Sequence, residues 1–420
     1  MRPVELVMVG AGNRGYLAYG AFAERNPGEA KFVAVVEPDD GRRARFANAH
    51  RIPVERQFRS WEEIAGQRPL APGLVNATGD RTHRSSTLGL LAAGYEMLLE
   101  KPIATTPREC LEIASAAESG GRLVQIAHVL RYAPFFVELR DIVASGRLGA
   151  IVSVDWRENL VYWHFVHSYV RGNWGNSSRA GPMILTKCCH DLDLLVWLFG
   201  SCERLSSSGS LTHFTRDAVD VEVPERCTDG CPIADGCPYF APRIYLDRLR
   251  ENPSSFALAA VTLDRTPEGV MRALETGPYG RCVYRSDNDV VDHQVVLMHF
   301  AGGLSVSLTM QGSSHVEGRT VRIDGTRATL LANESRGEFE IHDHRTGTAE
   351  RIVKPRGVGG HGGGDDALMR AFVGALRGDR AGVLTSARES VTSHLMAFAA
   401  EQARVTGEAV DLERYRASLG

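Results

Sequence analysis

The stretch Leu6–Gly15, LVMVGAGNRG, decides how the chain begins to fold. Leu6 to Val9 is a short apolar strand, and Gly10-Ala11-Gly12-Asn13-Arg14-Gly15 follows at once, before the helix-like segment LAYGAFAERN (17–26). A G-x-G-x-x-G run between strand and helix divides its work among the glycines. Gly10 allows the tight turn and Gly12 lets the backbone approach a pyrophosphate. Gly15 lets the helix pack closely on the strand, with its first N–H groups facing the anion; Asn13 and Arg14 belong to the same loop. A second buried strand, FVAVVE (32–37), ends in Glu37, 22 residues after Gly15. A carboxylate there accepts hydrogen bonds from ribose hydroxyls and repels a 2′-phosphate, which favours NAD over NADP. Arg42 and Arg43 close behind temper that preference or form a solvated helix face.

The alternation continues outward from this motif. LVNAT (74–78) is a buried strand ending in the turn Gly79-Asp80-Arg81-Thr82-His83, and YEMLLEKP (95–102) and LVQIAHV (123–129) are further strands separated by helical segments. This spacing predicts a doubly wound parallel sheet over residues 1–130. Ligands meet such sheets at the carboxyl ends of the strands. Glu37, Thr78, His83, Lys101 and Arg131 therefore share one rim.

A chain of 420 residues has room for a second domain, here 131–420. A formal net charge of -3 with no long run of like charge gives no nucleic-acid footprint. No apolar stretch is long enough to span a membrane, and the first residues do not read as a signal peptide. A cytoplasmic protein with reduced cysteines, and with neither nucleic acid nor membrane as partner, is the expectation.

The glycine motif, the strand ending in Glu37, Glu100-Lys101-Pro102, RYAP (131–134), SGRLGAI (145–151), HDLD (190–193) and HGGGD (361–365) together resemble the Gfo/Idh/MocA family of sugar and cyclitol oxidoreductases. The resemblance implies an N-terminal Rossmann domain that binds NAD(P), with Thr78, His83, Glu100 and Lys101 on the cofactor side. It implies a C-terminal α/β domain with a large open, mostly antiparallel sheet, whose exposed face commonly mediates homo-oligomers. Substrate would lie between the domains, against the nicotinamide. Lys101 would hydrogen-bond the reacting hydroxyl beside His190, Arg131 and Tyr132 would adjoin the substrate, and His361 would come near the cleft on its glycine loop.

The segment PMILTKCCHDLDLLVWLFG (182–200) has helical periodicity and a plausible C-cap in Gly200. On one continuous helix Thr186 and Lys187 lie within reach of His190, and Asp193, three residues on, can orient the imidazole. The family usually carries aspartate where Thr186 stands, and a threonine cannot act as a carboxylate base. Upstream, YWHFVHSYVRGNW (162–174) offers His164, Tyr169 and Arg171 as sugar contacts, or simply an aromatic core.

A Gly/Pro/Asp-rich insert near 221–282 contains Cys227, Cys231 and Cys237 as C-x3-C-x5-C, and Cys282 is a candidate fourth thiolate. Four such ligands suit a structural zinc; the competing reading is unliganded thiols. Beyond residue 290, alternating strands and Gly-containing turns predict an antiparallel meander. The expected activity is hydride transfer from a sugar or cyclitol hydroxyl to NAD, with Lys101, Lys187, His190 and Asp193 handling the proton. The alternative is a redox-neutral, NAD-dependent glycoside hydrolase acting on an anionic or sulfonated sugar glycoside. Such an enzyme would proceed by oxidation, elimination, hydration and reduction.

Overall fold

The computed structural model describes residues 2–355, 357 and 360–420. Six strands form the first sheet: β1 (Val4–Val9), β2 (Ala30–Val36), β3 (Gln57–Phe58), β4 (Gly73–Asn76), β5 (Glu96–Leu99) and β6 (Val124–Ile126). They lie in the order β3-β2-β1-β4-β5-β6, with every paired neighbour parallel. Their apolar runs are buried on both faces, as a sheet covered by helices on each side requires. The order reverses direction at β1, so the carboxyl ends of β1 and β4 open a crevice there.

The second sheet has nine strands: β7 (Ile151–Val161), β8 (Cys202–Ser210), β9 (His293–Phe300), β10 (Ser305–Ser314), β11 (Gly318–Gly325), β12 (Ala328–Asn333), β13 (Glu338–Asp343), β14 (Ala349–Val353) and β15 (Val410–Asp411). Their order is β14-β13-β12-β11-β7-β10-β9-β8-β15; β7 and β10 run parallel, and the other pairs are antiparallel. In β9 burial alternates strictly, with Gln294, Val296, Met298 and Phe300 inward, the signature of a sheet covered on one face. The helix Cys189–Phe199 lies against that inner face: Trp156 of β7 donates its indole N–H to Asp191 of the helix (2.8 Å). The insert between β8 and β9 carries three helices, Ala241–Glu251, Phe256–Val261 and Pro267–Thr276.

The last helices return to the first sheet. Ile126 N donates to the Thr385 carbonyl and Thr385 Oγ1 to the Ile126 carbonyl, both at 2.7 Å, so residues beside 385 dress the β6 edge. Ser386 then starts the helix Ala387–Thr406 with a capping box closed by Glu389. This return brings both halves of the chain to one cleft. Among the described residues no helix is long and apolar enough to cross a membrane.

Candidate active site

The glycine motif is built as its spacing predicts. Gly10 has φ +90°, and a Cβ there would meet the Ala77 carbonyl oxygen at 2.4 Å; on Gly15 it would meet the Gly10 oxygen at 2.2 Å. A Cβ on Gly12 would meet nothing within 4 Å, so the loop's backbone faces open space at the point where a pyrophosphate must approach. Glu37 is buried beside it, with Oε2 accepting from Ala11 N (2.8 Å) and Oε1 from Asp39 N (3.0 Å). The carboxylate is therefore fixed at the loop, and each oxygen keeps a lone pair for a ribose hydroxyl. These features fit an NAD molecule laid across the crevice.

Arg14 ties three segments together. Its Nε meets Glu100 Oε1 at 2.6 Å, while Nη1 and Nη2 meet the two Asp365 oxygens at 3.0 and 2.8 Å. Burial pushes the Asp365 carboxyl up, but Arg14 and His361 outweigh it and hold it far below the usual carboxylate range. The glycine loop with His361 is thereby drawn onto the cofactor motif. Asn13 Nδ2 donates to the Phe256 carbonyl of the insert (3.1 Å), a contact the spacing does not announce. His83 is fully buried, with its ring nitrogens against the carbonyls of Pro102 (2.7 Å) and Thr78 (3.1 Å), and Thr78 Oγ1 donates to Asn76 Oδ1 (2.9 Å). These two residues brace the rim.

On the facing wall the expected continuous helix is broken. Met183–Thr186 and Cys189–Phe199 are separate helices, with Lys187 at φ/ψ −106°/−56° and Cys188 at −87°/4° between them. At the break Lys101 Nζ donates to the Thr186 carbonyl (2.9 Å). Lys187 leaves the helical path instead of lining up with His190. Its Nζ lies 3.0 Å from Oε1 of the fully buried Glu158 and 3.8 Å from Glu317, which also meets His164 Nδ1 at 2.9 Å. Burial pushes Glu158 up to about 7 against the pull of Arg319 and Lys187. Glu317 goes the other way, down to about 2, because His164 and Lys187 outweigh its burial.

His190 is buried, and its Nδ1 has no hydrogen-bond partner among the described residues. Burial, with Lys101 and His128 adding to it, drives its pKa well below the ordinary histidine value, so the ring is neutral at pH 7. Its centroid is 5.6 Å from His128 and 6.0 Å from His361. Lys101, His190 and His361 thus converge at the mouth of the cofactor crevice.

Several expected contacts are made elsewhere. Asp193 does not orient His190: both its oxygens are held by Arg131, Nε and Nη2 each at 2.7 Å, which also removes Arg131 from the cleft. Tyr132 is taken up by Gln125, Leu384 N and Thr385 through its hydroxyl. Arg171 is buried and donates to the carbonyls of Arg281 and Tyr239, both at 2.7 Å, where it anchors the insert. Tyr169 is buried with its ring stacked beside Phe165 and Trp174.

The zinc expectation is not met: among the described residues no group of three or more His, Cys, Asp or Glu is arranged to hold a metal ion. Cys227, Cys231, Cys237 and Cys282 are free thiols. Cys227 Sγ instead takes the Arg171 guanidinium at 3.5 Å.

Motif reading passed over Asp80, Trp174, Glu158, Glu317 and His128, all of which border the cleft or its backing. Asp80 was visible as an acid in the turn after β4; the others carry no local signal.

Residues 4–128 match an oxidoreductase family's NAD-binding Rossmann fold, and residues 140–412 match the same family's C-terminal α/β domain. The chain belongs to the Gfo/Idh/MocA oxidoreductase family. YteT of Bacillus subtilis (strain 168) is 25% identical over 315 residues, 71% of each chain. Inositol 2-dehydrogenase 2 of Saccharopolyspora erythraea is 32% identical over 128 residues, 30% of this chain and 34% of that protein. An inositol dehydrogenase homologue of Azotobacter vinelandii, solved with NAD+, shares the fold with TM-score 0.68 at 18% identity, over 98% of this chain and 97% of that one. These family relatives point to NAD-linked oxidoreduction and lend no support to the glycoside-hydrolase alternative.

Proposed function

We propose that this family member is an NAD-dependent dehydrogenase acting on a ring hydroxyl of a cyclitol or sugar. The observation that carries the reading is the convergence of Lys101 and the neutral His190 beside a glycine loop shaped for a pyrophosphate. Gly10, Gly12, Gly15 and Glu37 would hold the cofactor, which supplies a hydride acceptor when bound. Lys101 Nζ, fixed by the Thr186 carbonyl, has two further N–H bonds to orient a hydroxyl oxygen. The His190 imidazole keeps one nitrogen as a lone-pair acceptor within the same opening. His164, Lys187 and Glu317 form a polar wall beside Trp163 and Phe256, a mixture of faces and donors that suits a polyhydroxylated ring. The inositol dehydrogenase among the relatives supports the cyclitol class.

The test is to mix the protein with NAD, a panel of cyclitols and sugars, and nitrophenyl glycosides, following NADH and nitrophenolate together. NADH formed in proportion to polyol oxidised is the expected result. NAD-requiring nitrophenolate release without net NADH would overturn it in favour of a redox-neutral hydrolase.

We also read the outer face of the second sheet as the contact between copies of this chain. Val152, Val295, Leu297 and Leu331 stand exposed there. Sedimentation should show an oligomer that dissociates on Leu297→Lys.

A further inference from the structure

Resting on the dehydrogenase reading, we propose that Asp80 is the positioning carboxylate that receives the hydroxyl proton relayed through Lys101, the part that Thr186 cannot play. Asp80 stands in the turn after β4 and is only 8% exposed. Trp174, reaching across from the C-terminal half, donates its indole N–H to Asp80 Oδ2 (3.0 Å), and Lys101 Nζ lies 5.7 Å from the centre of that same ring. One indole therefore brackets the lysine and the carboxylate. Among the described residues Asp80 Oδ1 accepts no hydrogen bond.

Every other nearby carboxylate is already engaged. Arg14 and Tyr19 hold Glu100, Arg319 and Trp156 hold Asp191, and Arg131 holds Asp193. Glu158 and Glu317 answer Lys187 and His164. The Thr186 hydroxyl donates to backbone carbonyls one turn earlier. Asp80 is faced by His83 from its own turn, by Lys101 and Glu100 from the end of β5, by Trp174, and by Cys189 from the opposite helix. Burial raises its proton affinity, and His83 and Lys101 restrain the rise, which suits a transient proton acceptor.

The step balances. The C–H bond breaks with its electron pair leaving as hydride for the nicotinamide of bound NAD, and the O–H electron pair becomes the second bond of the carbonyl. Lys101 Nζ accepts the hydroxyl proton as it passes one of its own, through a water, to Asp80. The lysine's charge is unchanged, and the carboxylate ends neutral until it releases the proton to solvent.

The test compares wild type with Asp80→Asn, Trp174→Phe and the double variant Asp80→Asn/Thr186→Asp, on the polyol from which wild type makes NADH. Asp80→Asn should lower kcat roughly 100-fold and erase the rising limb of its pH profile, with KM and NADH binding (read by fluorescence) within about two-fold of wild type. Trp174→Phe, which loses one hydrogen bond to the charged carboxylate, should move that limb to higher pH. Thr186→Asp places a carboxylate beside Lys101 and should restore at least ten-fold of the lost rate in the double variant. An unchanged kcat and pH limb in Asp80→Asn, or in Trp174→Phe should Asp80→Asn not fold, overturns the Asp80 role and leaves the dehydrogenase reading intact. A wild-type protein that makes no NADH from any polyol overturns both.

Discussion

The two walls of the cleft hold their functional atoms by different means. On the Rossmann wall, most fixing partners are close in the chain: Glu37 is pinned by Asp39 and by the glycine loop, Thr78 by Asn76, and His83 by Thr78 and Pro102. On the facing wall they are remote. Asp193 is held by an arginine 62 residues away and Asp191 by one 128 residues away, while Lys187 answers a glutamate on β7. The first wall is a set of turns at strand ends, where backbone geometry does the positioning. The second is a broken helix whose charged side chains are each matched to a buried counter-charge, because an unmatched ion there would cost several kcal/mol. Remote contacts also join the walls: Arg14 to Asp365 at 351 residues' separation, Lys101 to the Thr186 carbonyl and Trp174 to Asp80.

The largest effect should come where the walls meet. Lys101→Ala is expected to lower kcat by about 10²–10⁴-fold while NADH binding, read by fluorescence, stays near wild type. If binding falls with kcat, Lys101 belongs to the cofactor wall alone. Next, Arg131→Ala leaves Asp193 buried without its partner and should cost about 3–5 kcal/mol in denaturant unfolding. Gly10→Ala, on the other wall, forces a Cβ against a carbonyl at positive φ and should cost about 1–3 kcal/mol, with loss of NAD affinity. A Gly10 variant as damaging as the Arg131 variant would erase the distinction between the walls.

The smallest effect is in pH. Burial drives His128 well below its ordinary value, and both ring nitrogens lack hydrogen-bond partners among the described residues, the nearest carboxylate oxygen being Asp193 Oδ1 at 3.7 Å from Nε2. The unfolded chain therefore binds a proton below pH about 6.5 that the folded one refuses, and stability is lost as pH falls below that value. His128→Asn should flatten the dependence of unfolding free energy on pH below 6.5 by about 1.4 kcal/mol per unit. An unchanged slope would mean that the ring is protonated in the folded state.

The difference between the walls also explains what could be read in the sequence. The glycine motif, Glu37 and the rim position of Lys101 follow from spacing, because short turns after strands leave little choice of geometry. The meander after residue 290 follows from period-two burial. Asp193 and Arg131 were separately legible as polar residues near a cleft, yet nothing in either segment says that they neutralise one another. Arg171 reads as a candidate sugar contact because its actual role depends on carbonyls at 239 and 281, far along the chain. The helix break at Lys187 carries neither Gly nor Pro, so periodicity runs straight through it; the Glu158 ion pair accompanies the departure. Asp80 in its turn looked like an ordinary turn former, a residue type common there for backbone reasons alone.

The most direct measurement uses a cyclitol deuterated at its carbinol carbons, mixed with the protein and NAD and followed by proton NMR of the nicotinamide. The account predicts deuterium delivered to the reduced ring by wild type, and delivery slowed about 10²–10⁴-fold in Lys101→Ala carrying the same bound cofactor. Turnover of a deuterated polyol without deuterium reaching the nicotinamide, or undiminished transfer in the Lys101 variant, would contradict it.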